Sequence, residues 1–207
     1  MAEVKKKLSR QQRAAATRQR MLKAAYDVFV DLGYKATTMD AISQRAGVAV
    51  QTLYFTFHTK DELLQQVHEW TVLGDDPTPP PLQPWYLAAV AERDALRTID
   101  LIAEGLVTIL DRVAPTLPVF EAVVGDPAGE VWAHAQELRR AGMNDLVEML
   151  VKKRPLRPGL TKRQAVDLVF VLTGPATYRS FVIEAGWSPK RWSRWAAAAL
   201  RHDLYGV

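Results

Sequence analysis

The sequence predicts an all-α protein in which a small N-terminal helical domain is joined to a larger C-terminal helical domain. Three observations support this fold class. Nearly every apolar segment of the 207 residues repeats at helical intervals, helix-capping residues precede these segments, and the proline-rich run 74–84 separates them into two groups. We place the domain boundaries at residues 1–58, 59–84 and 85–207, with a connecting helix and the proline-rich junction in the middle range.

Helix starts and stops are marked along the first quarter of the chain. Ser9–Gln12 and Thr59–Glu62 have the spacing of capping boxes, and Gly33 and Gly47 are placed to end helices because glycine accepts a left-handed backbone. Apolar residues between 21 and 32 give the first helix its buried face. The predicted helices are a long one that ends at Gly33, followed by helices over about 38–46, 49–55 and 59–73.

Long apolar stripes continue beyond the junction, over residues 96–113 and 131–150. The last helix starts at Ser188, an N-cap followed by proline at the first helical position. The segment before it, Lys162–Glu184, is predicted as one helix that is apolar nearly all round its middle, which the outside of a monomer would not tolerate. We therefore expect these two helices to form an intersubunit four-helix bundle in a homodimer, with completion of an internal core as the alternative.

Positive charge is concentrated near the N-terminus. The net charge of the chain is +4, whereas residues 1–60 hold 11 Lys and Arg against 4 Asp and Glu, so that they carry +7 and the remainder carries −3. This basic segment includes an arm, residues 5–7 with Arg10 and Arg13, and favours contact with a polyanion; a solvated tail stays open on charge alone. Cysteine is absent and no apolar run reaches the roughly 18 residues of a membrane span, so we expect a cytoplasmic protein without a membrane partner.

The two short predicted helices on either side of Gly47 have the arrangement of a helix-turn-helix, whose second helix lies in the major groove of DNA. That second helix would turn Leu53 inward and present Val50, Gln51, Tyr54 and Phe55 outward. The amide of Gln51 can pair with adenine, and Val50 can contact a thymine methyl group. Hydroxyl or ammonium groups within reach of phosphates are carried by Thr52, Tyr54, Thr56 and Lys60.

Residues 36–64, ATTMDAISQRAGVAVQTLYFTFHTKDELL, resemble the DNA-binding signature of the tetracycline-repressor (TetR) family of bacterial transcriptional regulators. The matching positions are Thr37-Thr38, Ile42, Ala46-Gly47-Val48, Thr52-Leu53-Tyr54, Phe57 and Lys60-x-Glu62-Leu63. The resemblance implies an all-helical dimer whose N-terminal three-helix domain reads a palindromic operator. It also implies a C-terminal domain that binds a small ligand and thereby releases the DNA.

The family pattern assigns a role to single residues of the N-terminal domain. It implies phosphate contacts from Thr38 and Lys60, base contacts from Met39, Val50 and Gln51, and a backbone or base-edge contact from Tyr54. Two positions depart from the pattern. Ala49 stands where the family commonly has serine, which removes an N-cap worth about 1 kcal/mol, and Thr56 stands where histidine is frequent.

The C-terminal domain carries no catalytic motif, so we do not expect an enzyme. Residues 85–207 contain no glycine-rich phosphate loop, no His-Glu-x-x-His and no Gly-x-Ser-x-Gly. No cofactor is expected, and the ten-residue separation of His58 and His68 does not suit a helical metal pair. Candidates for an apolar effector pocket lie on or beside the inward stripes of long helices, with ordinary core as the alternative for each: Ile102, Leu106, Trp132 and Tyr178.

These observations predict a ligand-responsive, sequence-specific DNA-binding transcriptional regulator, with repression as the favoured mode. It would bind a palindromic double-stranded DNA operator as a homodimer and be released by a small apolar or aromatic effector. Two alternatives remain open at this stage. One is an architectural or nonspecific DNA-binding protein, which the basic arm alone would permit, and the other is a helical small-molecule-binding protein that does not bind DNA.

Overall fold

The computed structural model describes residues 9–75, 77–124 and 127–207, and all regular secondary structure in these ranges is helical. This result confirms the all-α class. The α-helices are α1 (Arg10–Ala36), α2 (Met39–Ala46), α3 (Val50–Phe57), α4 (Lys60–Leu73), α5 (Pro84–Ala91), α6 (Ala95–Val113), α7 (Leu117–Glu121), α8 (Pro127–Lys153), α9 (Lys162–Leu172), α10 (Pro175–Tyr178) and α11 (Pro189–Tyr205). Residues 5–7 of the basic arm lie outside the described residues.

The chain divides into two compact units between Trp70 and Thr71, inside α4. This point falls within the range 59–84 that the sequence assigns to the connection. In the first unit α1 packs against α2, and α2 packs against α3. Each of its four helices contributes a fully buried side chain to the core: Phe29, Ile42, Leu53 and Leu63.

The predicted boundaries of α1 follow from local interactions. The Ser9 hydroxyl accepts a hydrogen bond from the Gln12 N–H at 3.2 Å, and the Gln12 side chain accepts one from the Ser9 N–H at 2.9 Å, which completes the capping box. Gly33 has a φ of 73°, so the helical geometry stops where the sequence predicts. Leu32, expected on the buried stripe, is instead 53% exposed, because it lines a surface hollow between α1 and α2.

The second unit is built around α6, against which α5 and α11 pack. The stripe predicted for α6 is confirmed at Ile99 and Ile102, which are almost completely buried. Trp85 of α5 lies directly on Gly105, where a Cβ atom would stand 2.2 Å from the indole. Only glycine permits this close approach, so the α5–α6 contact depends on that residue.

Helix α8 packs against α9, and its buried side chains lie in its C-terminal half. Leu146 and Leu150 lie in the core as predicted, but Leu138 is 61% exposed. At about 100° per residue, Leu138 lies roughly 130° from the face that these two residues share with Val147. The apolar stripe predicted for residues 131–150 is therefore wrong at this position.

The apolar segment Lys162–Glu184 is not the uninterrupted α-helix that its composition predicts. Helix α9 ends at Leu172, Gly174 and Pro175 start the short α10, and a π-helix follows over Arg179–Glu184. Proline interrupts an α-helix because it has no N–H to donate. By length and composition this segment alone among the described residues is apolar enough to cross a membrane, with a mean hydropathy of 1.3 and 33% of that stretch buried.

Candidate DNA-binding interface

Helices α2 and α3 meet at a turn whose geometry depends on Gly47. The Thr38 hydroxyl caps the start of α2 by accepting a hydrogen bond from the Ala41 N–H at 3.1 Å. At the other end Gly47 has a φ of 64°, and its N–H bonds to the Gln44 carbonyl at 3.2 Å. This left-handed stop redirects the chain, and α3 begins three residues later, at Val50. The arrangement is that of a helix-turn-helix.

Helix α3 has one buried face and one exposed face. Leu53 and Phe57 are almost completely buried and fix the helix on the core. Five of the predicted DNA-facing residues lie on the same helix: Gln51, Thr52 and Tyr54 are exposed, whereas Val50 and Thr56 are partly buried. The Thr56 hydroxyl donates a hydrogen bond to the Thr52 carbonyl at 2.8 Å. The exposed face therefore presents an amide, a hydroxyl and a phenol to solvent.

Thr38 and Met39, at the start of α2, were both predicted to contact DNA, but only one of them is exposed. Thr38 is exposed, and a hydroxyl that accepts one hydrogen bond still has its own O–H to donate. Met39 is only 5% exposed, because it stands three residues before Ile42 and shares that residue's buried face. This burial argues against the base contact that the family pattern implies for Met39, which we exclude from the proposed interface.

Lys60 makes a connection that the sequence does not reveal. Its ammonium group donates hydrogen bonds to the carbonyls of Tyr34 at 2.9 Å and Thr37 at 3.0 Å, and lies 4.1 Å from the centre of the Tyr34 ring. The Tyr34 hydroxyl in turn donates to Asp61. An ammonium group has three N–H donors, so one remains for a phosphate. Lys60 thus ties the first residue of α4 to the connection between α1 and α2.

The cationic residues near this interface differ in how far their charge is compensated. Arg45 in α2 lies 3.1 Å from Asp31 and 3.9 Å from Asp27, so two carboxylates offset its charge. Arg10 and Arg13 of the predicted arm lie in the first turns of α1 and are exposed. These two arginines are better placed than Arg45 to attract a polyanion.

The four effector candidates in the second unit belong to different packing groups. Ile102 belongs to the apolar cluster of α5, α6, α8, α9 and α11, whereas Tyr178 belongs to a second cluster with Trp192. Leu106 is partly buried and packs against both clusters. Trp132 stacks on Phe120 with the ring centres 5.2 Å apart.

Two of the buried rings in that unit are close enough for an edge-to-face contact. Tyr178 and Trp192 have ring centres 4.8 Å apart, and the Tyr178 hydroxyl donates to Asp111. Burial, reinforced by this bond, raises the pKa of Tyr178 above its usual value. Tyr178 is therefore a neutral hydrogen-bond donor in this structure.

Titratable residues give no sign of a metal centre within the described residues, where no group of His, Asp and Glu has the required proximity. His58 is exposed at the end of α3. His68 in α4 is buried, and its burial lowers the pKa from 6.5 to about 4, so that its ring is neutral at physiological pH.

Comparison with known proteins assigns the first unit to a recognised domain type. Residues 21–67 match the model of the bacterial regulatory proteins of the tetR family. The chain is 44% identical over 54 residues to the HTH-type transcriptional regulator SrpR of Pseudomonas putida, a match that covers 26% of this chain and 25% of SrpR. It is also 44% identical over 54 residues to TtgW of Pseudomonas putida, an uncharacterized HTH-type transcriptional regulator, covering 26% of this chain and 40% of TtgW. The chain thus spans well under half the length of these relatives.

Solved structures share the fold over nearly the whole chain. A TetR-family regulator from Mesorhizobium loti has a TM-score of 0.68 at 20% identity, covering 91% of this chain and 95% of that one. FadR of Bacillus subtilis, solved with stearoyl-CoA, has a TM-score of 0.70 at 14% identity over 92% and 99% of the two chains. NalD, named as the secondary repressor of the MexAB-OprM multidrug efflux pump of Pseudomonas aeruginosa, has a TM-score of 0.69 at 18% identity over 93% and 98%.

These comparisons confirm the resemblance to the TetR family, by sequence over the DNA-binding segment and by fold over the two units. The relatives are transcriptional regulators, in agreement with the expectation that the chain is not an enzyme.

Proposed function

We propose that this protein is a homodimeric, sequence-specific repressor that binds a palindromic operator through α3 and is released by a small apolar effector. The observation that carries the proposal is the exposed face of α3, which presents Gln51, Thr52 and Tyr54 from a helix-turn-helix fixed to the core by Leu53 and Phe57. Such a helix fits the major groove, where base pairs differ in their donor and acceptor pattern.

The proposed DNA contacts divide into base readers and phosphate anchors. Gln51 pairs with adenine, and Val50 contacts the methyl group of a nearby thymine. The anchors hold the register of the protein on the duplex through hydroxyl or ammonium groups: Thr38, Thr52, Tyr54, Thr56 and Lys60. The Thr56 hydroxyl has one O–H and donates it to the Thr52 carbonyl, so it must rotate away from that carbonyl to donate to a phosphate. Arg10 and Arg13 add affinity that does not depend on sequence.

Dimerisation is supported by apolar side chains that the chain leaves uncovered on α9 and on the π-helix over Arg179–Glu184. Val171 is 61% exposed and Ile183 is 45% exposed, although both lie in the most apolar segment of the chain. A second copy is a better occupant of this face than a bilayer. The segment is broken at Pro175, and it carries Asp167 and Arg179 in surface ion pairs.

The apolar side-chain clusters of the second unit support an apolar effector. The structure of FadR, which contains stearoyl-CoA, supports the proposal that the protein responds to a ligand. Repression is supported by NalD, which is named as a repressor. We retain Ile102, Leu106, Trp132 and Tyr178 as the residues beside which an effector would enter. A protein with this role acts in the cytoplasm, where the DNA is.

A route from effector to operator is provided by Arg112 of α6. Its guanidinium donates to the carbonyls of Thr71 at 2.8 Å and Val72 at 3.4 Å, at the C-terminal end of α4. Positive charge is favourable at a helix C-terminus. An effector that enters beside Leu106 displaces α6 and with it Arg112, so the end of α4 moves. Because α4 continues into the first unit, this movement reaches the DNA-binding helices, and a coupling of about 1–3 kcal/mol would weaken operator binding about 5- to 150-fold.

Selection from a random-sequence duplex library with the 207-residue chain tests this function. The enriched duplexes should be palindromic, with half-site centres about 34 Å or a multiple of that distance apart, since the two-fold axis of the dimer imposes this spacing. An architectural protein would instead leave the library unenriched and show equal affinity for all duplexes with a steep salt dependence. Absence of DNA binding at physiological salt would favour the small-molecule-binding alternative.

A further inference from the structure

Phe55 is the most exposed of the large hydrophobic side chains that the structure describes, at 85%. It belongs to α3, a helix of eight residues that already buries Leu53 and Phe57. A phenyl ring left in water forgoes the free energy that its burial would supply. Single exposed apolar residues are common on protein surfaces, so exposure alone does not identify a binding role. The position of Phe55 on the helix is what distinguishes it.

Helical geometry places Phe55 at the outermost point of α3. Successive residues are about 100° apart, so the buried pair Leu53 and Phe57 has its mean direction about 180° away from Phe55. Gln51 stands one turn earlier and about 40° from the same direction. Phe55 and Gln51 therefore form the outer ridge of α3, opposite the face that packs on the core. A recognition helix lies in the major groove, so this ridge faces the bases.

The chemistry of the ring limits what it can recognise there. A phenyl group neither donates nor accepts a conventional hydrogen bond, so it cannot read the polar edges of the bases. The apolar group that the major groove offers is the C5 methyl of thymine, and phenylalanine is among the side chains suited to contact it. Phosphates lie at the rim of the groove, whereas the outer ridge of α3 faces the bases on the floor of the groove.

We propose that Phe55 reads a thymine methyl group in each operator half-site, close to the base pair that Gln51 reads. Four residues of α-helix rise about 6 Å, which corresponds to about two base pairs at 3.4 Å each. Each half-site therefore contains a thymine within about two base pairs of the adenine that pairs with Gln51. This inference rests on the proposed function and adds a specificity-determining residue to it.

Replacement of thymine by deoxyuridine tests the contact directly, because it removes only the methyl group and preserves base pairing. The duplex is one recovered by the random-sequence selection, with each thymine replaced in turn, symmetrically in both half-sites. At the thymine that Phe55 contacts, the wild-type protein should lose about fourfold in affinity for each methyl group removed. Removal of this methyl group from both half-sites should cost about 15-fold. Phe55→Ala should bind the thymine and deoxyuridine duplexes equally at that position.

Two control variants separate this contact from general effects. Leu82→Ala shortens another exposed apolar side chain, one in the second unit, and should retain the full thymine-to-deoxyuridine loss. Gln51→Ala should also retain it, because its amide contacts a different base. Thermal unfolding of Phe55→Ala should match the wild type, since the ring is exposed.

The possible failures are distinguishable. In one outcome, the wild type binds its selected duplex specifically while Phe55→Ala loses as much affinity as the wild type at every thymine replaced by deoxyuridine. That result overturns the assignment of Phe55 and leaves the proposed regulatory function unaffected. The same conclusion follows if no single thymine methyl matters to the wild type. If the selection enriches no duplex, both the proposed function and this assignment are overturned.

Discussion

Replacement of Ala49 by serine should supply a helix cap that α3 lacks. Ala49 is the N-cap residue, with a φ of −67° and a ψ of 142°, and no side chain caps the helix there. This extended conformation is the one that serine adopts as an N-cap, and Ala49 is exposed, so the added hydroxyl displaces nothing. The new oxygen can accept a hydrogen bond from the N–H of Gln51 or Thr52.

The expected gain follows from the exchange of alanine and serine at N-caps, which changes stability by about 0.5–2 kcal/mol and typically by about 1 kcal/mol. We expect the free energy of unfolding to rise by about 1 kcal/mol. With a urea dependence of about 2 kcal/mol per molar, the unfolding midpoint moves up by about 0.5 M. Urea titration followed by circular dichroism measures this shift.

Two matched variants give the prediction its control. Ala15→Ser makes the same chemical change at an exposed position inside α1, where it should lower stability by roughly 0.5 kcal/mol through helix propensity. Thr38→Ala removes an existing cap and should lower stability by about 1 kcal/mol. If Ala49→Ser leaves the midpoint unchanged or lowers it while both controls behave as stated, α3 does not begin at Val50 and the assigned recognition face is wrong.

Four further changes test the DNA interface, the hydrogen bonds that support it, helix α4 and the dimer. Gln51→Ala should cost about 1–3 kcal/mol of binding free energy on the selected operator and nothing on a scrambled duplex, as measured by fluorescence anisotropy. Lys60→Met removes two hydrogen bonds from the ammonium group and should lower the free energy of unfolding by about 2 kcal/mol, whereas Lys23→Met at an exposed position of α1 should stay within about 0.5 kcal/mol. Burial lowers the pKa of His68 from 6.5 to about 4. As the pH falls from 6.5 towards 4, the His68 ring therefore becomes protonated in the unfolded chain but stays neutral in the folded chain. Urea titrations should show stability falling by up to about 1.4 kcal/mol per pH unit in that window, and His68→Gln should flatten the slope. Val171→Asp should leave the fold intact and shift the sedimentation equilibrium towards monomers, because that exposed residue lies on the proposed dimer face.

Local signals in the sequence predicted the start or the end of several helices, although the break after Leu172 was missed. The capping box at Ser9, the stop at Gly47 and the N-cap at Ser188 all appear as predicted, with the Ser188 hydroxyl accepting a bond from the Arg191 N–H at 3.2 Å. These interactions join residues three or four positions apart, so the information lies within one turn of chain. The exposed face of α3 was predictable for the same reason.

Burial was harder to predict wherever it depended on a neighbouring helix. Leu32 and Leu138 follow helical spacing but lie exposed, and Met39 stands at a position that the family pattern assigns to base contact but is buried. Spacing shows which residues share a face without showing how much of that face a second helix covers. The contact of Lys60 with Tyr34 joins residues 26 positions apart and has no periodic signal.

The effector residues illustrate a further limit. Apolar and aromatic residues on inward stripes serve equally as core and as pocket lining, and the structure places Tyr178 and Ile102 in two separate apolar clusters. Composition therefore indicates the chemical class of an effector more readily than its position.

A sequence-specific regulator distinguishes one DNA sequence from others, and equilibrium binding measures that preference. Fluorescence anisotropy of the 207-residue chain with the selected duplex and with a scrambled duplex of the same composition, at about 0.15 M salt, gives the ratio of the two affinities. We expect a preference of at least about 10³ for the selected duplex, the lower end of the range for specific recognition. Equal affinity for the two duplexes would contradict sequence-specific recognition by this protein.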